Sequence, residues 1–144
     1  MKNRVLPVAL VLLVCVCGAL PKFCAALDVR PFCKMTFVDH RGHSIKLSTN
    51  VMHASHTSLT FIFETGEKLI IKFTTIRAGH FVAESARSKD PQIIFYPSHS
   101  SQFYPMVGVV IISATKPKIT GHFPHLVSDD DAVHLTLVSG SFSF

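Results

Sequence analysis

The stretch SLTFIFETGEKLIIKF, residues 58–73, decides the fold class of this chain. Two apolar runs flank the dipeptide Thr65-Gly66, and glycine beside a short polar residue is a turn signal. In the first run, Leu59, Phe61 and Phe63 share one face of a strand, and Thr60, Ile62 and Glu64 share the other. The stretch therefore predicts a β-hairpin. Residues 39–42, DHRG, have Asp first and Gly last, which is the preference of a type I turn, and they predict another hairpin between residues 34–39 and 43–48.

The same alternation recurs along the chain, and no stretch of ten or more residues has a helical period. A short helix around residues 81–88 is the one helical element that the pattern allows. Residues 50–58 are predicted as a loop or single turn, and residues 114–125, with two prolines and a glycine, as a loop or edge. The predicted strands cover residues 34–39, 43–48, 58–64, 67–73, 79–85, 92–96, 106–113, 132–140 and 141–144.

Short strands separated by turns predict an all-β, single-domain antiparallel β-sandwich, Ig-like or related, of about seven to nine strands. A barrel is the alternative architecture. Residues 106–113 are apolar at nearly every position, so we expect them to form a central strand and the most buried stretch of the chain.

The first 26 residues have the layout of a secretory signal peptide. A basic start precedes an apolar run at residues 5–20, which is short of the roughly 20 residues that span a bilayer. Cleavage is predicted after Ala26, with Ala19 as the alternative, so residues 27–144 form the predicted domain. No later segment is long and apolar enough to span a membrane. The sequence thus predicts a secreted, extracellular protein.

Removing the signal peptide changes the charge and the cysteine content. Lys2, Arg4 and Lys22 leave with it, so fourteen basic residues fall to eleven against nine acidic ones. A nucleic-acid partner is therefore not expected. Cys33 stays, either alone or with Cys24 after the earlier cut, so the domain must rest on its core rather than on disulfides.

The chain has nine histidines, so the sequence must be searched for a catalytic or metal-binding site. His40, His43, His53 and His56 form two His-x-x-His pairs, but neither pair belongs to a zincin or zinc-finger motif. We predict no metal and no cofactor, and we do not expect the two pairs to converge on one site. If the protein is a secreted histidine-based hydrolase, such as a ribonuclease-like enzyme, its acid and base candidates are His40, His43, His80 and Glu84.

Aromatic residues indicate a different kind of site. Phe-Tyr-Pro occurs twice, at residues 95–97 and 103–105, on either side of a polar loop. Tyrosine and phenylalanine are favoured at interfaces. The sequence therefore predicts partner-binding residues at Phe95, Tyr96, Phe103 and Tyr104.

A signal peptide, one compact domain and the absence of an enzyme motif are together the layout of a small secreted binding protein. In that layout the chain resembles the effector proteins of plant-associated fungi, although it lacks the aromatic-x-Cys motif of one such group, because Pro31 stands two residues before Cys33. The resemblance implies protein binding and a role in virulence. The main functional hypothesis is a non-enzymatic protein that recognises an extracellular or host protein or a glycan. The hydrolase and a β-barrel carrier of a small apolar ligand are the alternatives.

We expect the mature protein to begin at Leu27, because Cys24 and Ala26 supply the small residues that signal peptidase requires. N-terminal sequencing of secreted material tests this expectation. A mature chain that begins at Leu20 would contradict it and would retain Cys24 beside Cys33.

Overall fold

The computed structural model describes residues 30–129 and 134–144, and in this part of the chain every regular element is a β-strand. The predicted signal peptide and its cleavage sites lie outside the described residues. The strands are β1 (Phe32–Val38), β2 (Ser44–Thr49), β3 (Val51–Ala54), β4 (Ser58–Ile62), β5 (Lys68–Lys72), β6 (Gly79–Ala83), β7 (Gln92–Tyr96), β8 (Tyr104–Ala114), β9 (Thr120–Ser128) and β10 (Thr136–Ser143).

The ten strands form one antiparallel sheet that nearly closes on itself. The strand order is β2-β1-β10-β9-β8-β7-β5-β4-β3, and β6 pairs with β8 beside β7. β2 and β3 lie at opposite ends of this order, yet only Asn50 separates them. The chain bends at Asn50, and the Thr49 hydroxyl bridges this bend. It accepts a hydrogen bond from the Val51 amide and donates one to the carbonyl of Ile62 on β4. The all-β antiparallel class is confirmed, and of the two architectures the single continuous sheet corresponds to the barrel.

Phenylalanine rings fill the interior of the barrel. Phe61 on β4 lies 5.9 Å from Phe123 on β9 and 5.4 Å from Phe142 on β10, measured between ring centroids. These strands are not neighbours in the sheet, so the rings meet across the interior. Alternation explains their position, because in β4 and β5 every second residue is buried. The middle of the barrel is therefore a packed core and not a channel.

The predicted hairpins are confirmed, with one difference in the turn. The Asp39–Gly42 turn closes as expected, with the Gly42 amide donating to the Asp39 carbonyl over 3.0 Å. The turn between β4 and β5 is longer than Thr65-Gly66 alone. The Phe63 amide donates to the Glu67 carbonyl over 2.9 Å, so a five-residue turn connects the strands.

Two segments that were predicted as loops are strands, and those predictions are wrong. β9 lies inside the sheet between β8 and β10. Pro124 of β9 has no backbone N–H to donate to a neighbouring strand. It is tolerated because the register with β8 shifts between Val109 and Ile111, where this hydrogen bond is not needed. β3 is a short strand whose side chains are mostly exposed, so it shows no alternation from which to recognise it. The helix allowed at residues 81–88 does not form either, because β6 occupies its start.

β8 is central, as predicted, but it is not buried on both faces. It pairs with β9 along one edge and with β6 and β7 along the other. Val110 and Ile112 point inward and are buried, whereas Val109 and Ile111 are half-buried on the outer wall. A barrel has one packed interior, so a strand that is apolar throughout still exposes alternate residues.

Cys33 is a free thiol buried in the core, fully enclosed on β1. Burial raises the pKa of the Cys33 thiol far above its ordinary range. The side chain therefore acts as a small apolar core residue. None of the described residues belongs to a helix that is long and apolar enough to cross a membrane.

We expect Ile112→Ala to lower the free energy of unfolding by about 2–5 kcal/mol, because it leaves a cavity among core side chains. Ile111→Ala, one residue away on the outer wall, should cost about 1 kcal/mol or less. Urea unfolding of the two variants beside the parent measures the difference. Equal losses would contradict the assignment of inner and outer faces on β8.

Candidate functional site

The strand directions give the barrel two ends. The mouth end is formed by the turns at residues 39–43 and 63–67 and by the loop at residues 97–103. The far end is formed by residues 30–31, 55–57, 73–78 and 115–119. Each end thus gathers loops that lie far apart in the sequence.

A cavity of about 330 Å³ opens at the mouth end. This volume lies at the lower limit of small-molecule pockets, which are about 300–1,000 Å³. Its walls are mainly apolar and come from four strands and the segment before β10. The main wall residues are Phe37, Ile45, Leu47, Phe95, Tyr104 and Leu135.

Strand register brings these wall residues together. Phe37 pairs with Ile45 across β1 and β2, and Phe95 pairs with Tyr104 across β7 and β8. Directly paired residues point to the same face of a sheet. The rings of Phe37 and Phe95 then meet 5.3 Å apart and form the floor, below which the packed core begins.

Polar groups line only one side of the mouth. Glu67 and Ser98 reach the cavity from neighbouring loops. The Ser98 hydroxyl donates to the Thr65 carbonyl, and the Thr65 hydroxyl donates to the Glu67 carboxylate. Gly66 has a φ of +94° and lies against His99, so a side chain there would be strained and crowded. The two loops therefore hold each other, and the Glu67 carboxylate is fixed at the rim.

The predicted aromatic residues divide between the inside and the outside of the barrel. Phe95 is buried and Tyr104 is half-buried, and both line the cavity. Tyr96 and Phe103 lie on the outer wall beside it, with ring centroids 5.9 Å apart. Lys68 places its ammonium group 4.6 Å from the Tyr96 ring centroid, within cation–π range. Phe103 is 54% exposed, which makes it the most exposed large apolar side chain of the described residues.

The acid and base candidates do not come together. His40 and His43 lie in the turn between β1 and β2, whereas His80 lies on β6 and Glu84 directly after it. Three strands of the sheet separate β1 from β6, which is roughly 19 Å of wall at the usual strand spacing. All nine histidines are exposed. Among the residues with described positions, no three His, Cys, Asp or Glu side chains are grouped so that they could hold a metal ion.

The first histidine pair has a local structural role. Asp39 accepts the amides of Arg41 and His43, each over 2.8 Å, and its second oxygen lies 3.1 Å from Nδ1 of His43. The His43 amide, with smaller contributions from the Arg41 amide and the His43 ring, lowers the pKa of the Asp39 carboxyl. These contacts stabilise the turn and leave His43 facing solvent. His53 on β3 and His56 after it belong to another part of the barrel.

Sequence reasoning missed part of the cavity. Ile45 and Leu47 were predicted within the strand at residues 43–48, and Glu67 at the start of the strand at residues 67–73, but nothing indicated that they meet Phe95. Their meeting depends on closure of the barrel between β2 and β3, which brings both ends of the strand order together. The alternation of apolar residues along a single strand does not indicate which distant strands will meet when the barrel closes.

Comparisons with known proteins give no further guide to this site. No protein-family model, curated protein or solved structure matches the chain. The functional argument therefore depends on the geometry alone.

The lowered pKa of Asp39 predicts how stability at the turn depends on pH. The carboxylate stabilises the fold above the unfolded-state pKa of about 3.9, and this contribution is lost as the pH falls through the lower folded-state value. Asp39→Asn keeps an acceptor for the two amides but removes the charge. Its melting temperature should therefore lie below that of the parent at pH 7, and the gap should close towards pH 2. A gap that is constant with pH, or an equal effect of the control Glu64→Gln, would contradict this role.

Proposed function

We propose that this chain is a secreted, non-enzymatic binding protein that holds a partner protein at the mouth end of its barrel. The observation that carries the proposal is the apolar cavity, one wall of which is Tyr104, together with the exposed ring of Phe103, the residue that directly precedes Tyr104. A pocket for one apolar side chain next to an exposed aromatic residue is the arrangement that interface hot spots use. The partner is proposed to be an extracellular or host protein.

Burial of apolar surface in the cavity would supply the binding free energy for a partner protein. Ile45 is 41% exposed at its edge although it is apolar, so a partner side chain that enters would remove apolar surface on both molecules from water. Burying one large aliphatic or aromatic side chain contributes about 1.5–3 kcal/mol. Phe103 and Tyr96 then add contact area outside the cavity, with Lys68 beside them.

The polarity of the mouth favours a protein over a glycan. A glycan exposes many hydroxyl groups, each of which needs a hydrogen-bonding partner when it is buried. The cavity offers mainly Glu67 and Ser98, and both already have partners within the rim. An apolar side chain of a protein makes no such demand.

A small apolar ligand is the second candidate, supported by the volume and the apolar walls of the cavity. The packed phenylalanine core closes the barrel below Phe37 and Phe95. A ligand would therefore be held at the mouth, partly exposed, and not enclosed in a lumen.

Three substitutions test the proposal and separate the two candidates. Ile45→Asp places a charge in the cavity, and Phe103→Ala removes the outer ring. Val138→Asp is the matched control, because Val138 is an exposed apolar residue on β10 outside the cavity lining. Each form is immobilised and exposed to extracellular fluid, and each is also titrated with the neutral fluorophore N-phenyl-1-naphthylamine.

We expect the parent and Val138→Asp to retain the same partner, while Ile45→Asp and Phe103→Ala each weaken its binding at least about tenfold. Retention of that partner by all four forms would exclude the mouth as its site. Loss of fluorophore binding in Ile45→Asp alone, without any partner that depends on Phe103, would instead support the small apolar ligand.

A further inference from the structure

The far end of the barrel carries a second pocket, whose lining includes two lysines. Its volume is about 620 Å³, and it lies between the start of β1, the loop from β8 to β9 and the end of β10. Lys116 and Lys118 stand on one side of it. Ser113, Thr120 and Ser143 also line it.

Buried aromatic packing shapes the floor of this pocket. Phe142 is only 2% exposed and packs against the Phe61 and Phe123 rings in the core. A Cβ atom at Gly121 would lie 2.5 Å from the Phe142 ring, so only glycine lets this ring sit under β9. The Phe144 amide donates to the Ile119 carbonyl over 2.8 Å, which ties the chain end to the lysine-bearing loop. The pocket is thus built on the rigid core.

Basic side chains outnumber carboxylates at the far end of the barrel. The mouth end carries charges of both signs, with Arg41 and Lys68 beside Asp39, Glu64 and Glu67. Glu84 and Asp129 directly follow strands that run towards the mouth. The far end carries Arg30, Arg77, Lys116 and Lys118. Its carboxylate, Asp90, accepts the Thr74 amide over 3.1 Å. Of the described residues that line the far pocket, none is acidic.

We propose that the far pocket binds a phosphate or sulfate ester carried on a small sugar-like body. Lys116 and Lys118 would attract the anion, and the hydroxyl groups of Thr120 and Ser143 would donate hydrogen bonds to its oxygens. Phe32 and Pro117, which line the pocket and are more exposed than Phe142, would contact the apolar face of the body. An ester therefore gains contacts that a free anion lacks. This site is independent of the mouth, so either proposal can fail alone.

The test uses the protein expressed from its complete sequence and four probes. Glucose 6-phosphate and glucosamine 6-sulfate carry the ester, inorganic phosphate is the free anion, and glucose is the neutral control. Binding is measured by calorimetry, and amide shifts in NMR spectra locate it. Lys116→Gln removes one charge of the pocket, and Lys46→Gln, an exposed lysine on β2, is the matched control.

We expect both esters to bind more tightly than inorganic phosphate, glucose not to bind, and amide shifts to centre on residues 113–121 and 142–143. Lys116→Gln should weaken ester binding roughly tenfold, while Lys46→Gln should leave it unchanged. Lys118 makes another interaction in the fold. Lys118→Gln is therefore paired with Lys118→Arg, which should restore binding, and with a melting curve.

Three outcomes would overturn the proposal. One is equal weakening by Lys116→Gln and Lys46→Gln, which would mean diffuse attraction to net charge. Another is equal affinity for the esters and inorganic phosphate, which would mean an ion site without a role for the body. The third is the absence of any shift in residues 113–121 and 142–143 at millimolar probe.

Discussion

The contact between Phe61 and the rings of Phe123 and Phe142 is the interaction on which the rest of the structure depends. It joins β4 on one side of the barrel to β9 and β10 on the opposite side. The size of these rings therefore sets the diameter of the barrel. Edge-to-face aromatic pairs contribute about 0.5–1.5 kcal/mol beyond the area that they bury. With the interior filled in this way, binding sites can form only where the core ends. Both candidate pockets lie at those two ends.

Closure of the sheet depends equally on the bend between β2 and β3. A flat sheet with this strand order would leave β2 and β3 as exposed edges, which are open to pairing with other chains. Asn50 lets the chain leave β1 and join β4 within one residue, and the Thr49 hydroxyl satisfies the carbonyl of Ile62 at the corner. The same bend places Ile45 and Leu47 opposite Phe95. The mouth cavity is therefore a consequence of how the barrel closes.

Local patterns predicted most strands of this chain, but they predicted only two of the six main wall residues of the cavity. Alternation located the hairpin of β4 and β5, and the Asp39–Gly42 turn followed from its residue types. β9 was missed because Pro124 and Gly121 are strand breakers in general, and only the register shift opposite Pro124 shows why they are tolerated. Phe95 and Tyr104 stood out as part of a repeated aromatic motif. Ile45, Leu47 and Leu135 join them through pairings between distant segments, which no local pattern contains.

The chemistry of the two ends follows from which loops the topology sends there. Neighbouring antiparallel strands run in opposite directions, so successive loops lie at opposite ends of the barrel and alternate loops share an end. The turns that carry Asp39, Glu64 and Glu67 therefore lie around the apolar mouth, together with Arg41 and Lys68. Lys116 and Lys118 lie with Arg30 and Arg77 at the other end. Opposite charges this far apart do not neutralise each other, because the separation exceeds the Debye length of about 8 Å at physiological ionic strength. A ligand that approaches the far end thus meets mainly basic side chains, whereas the mouth presents charges of both signs.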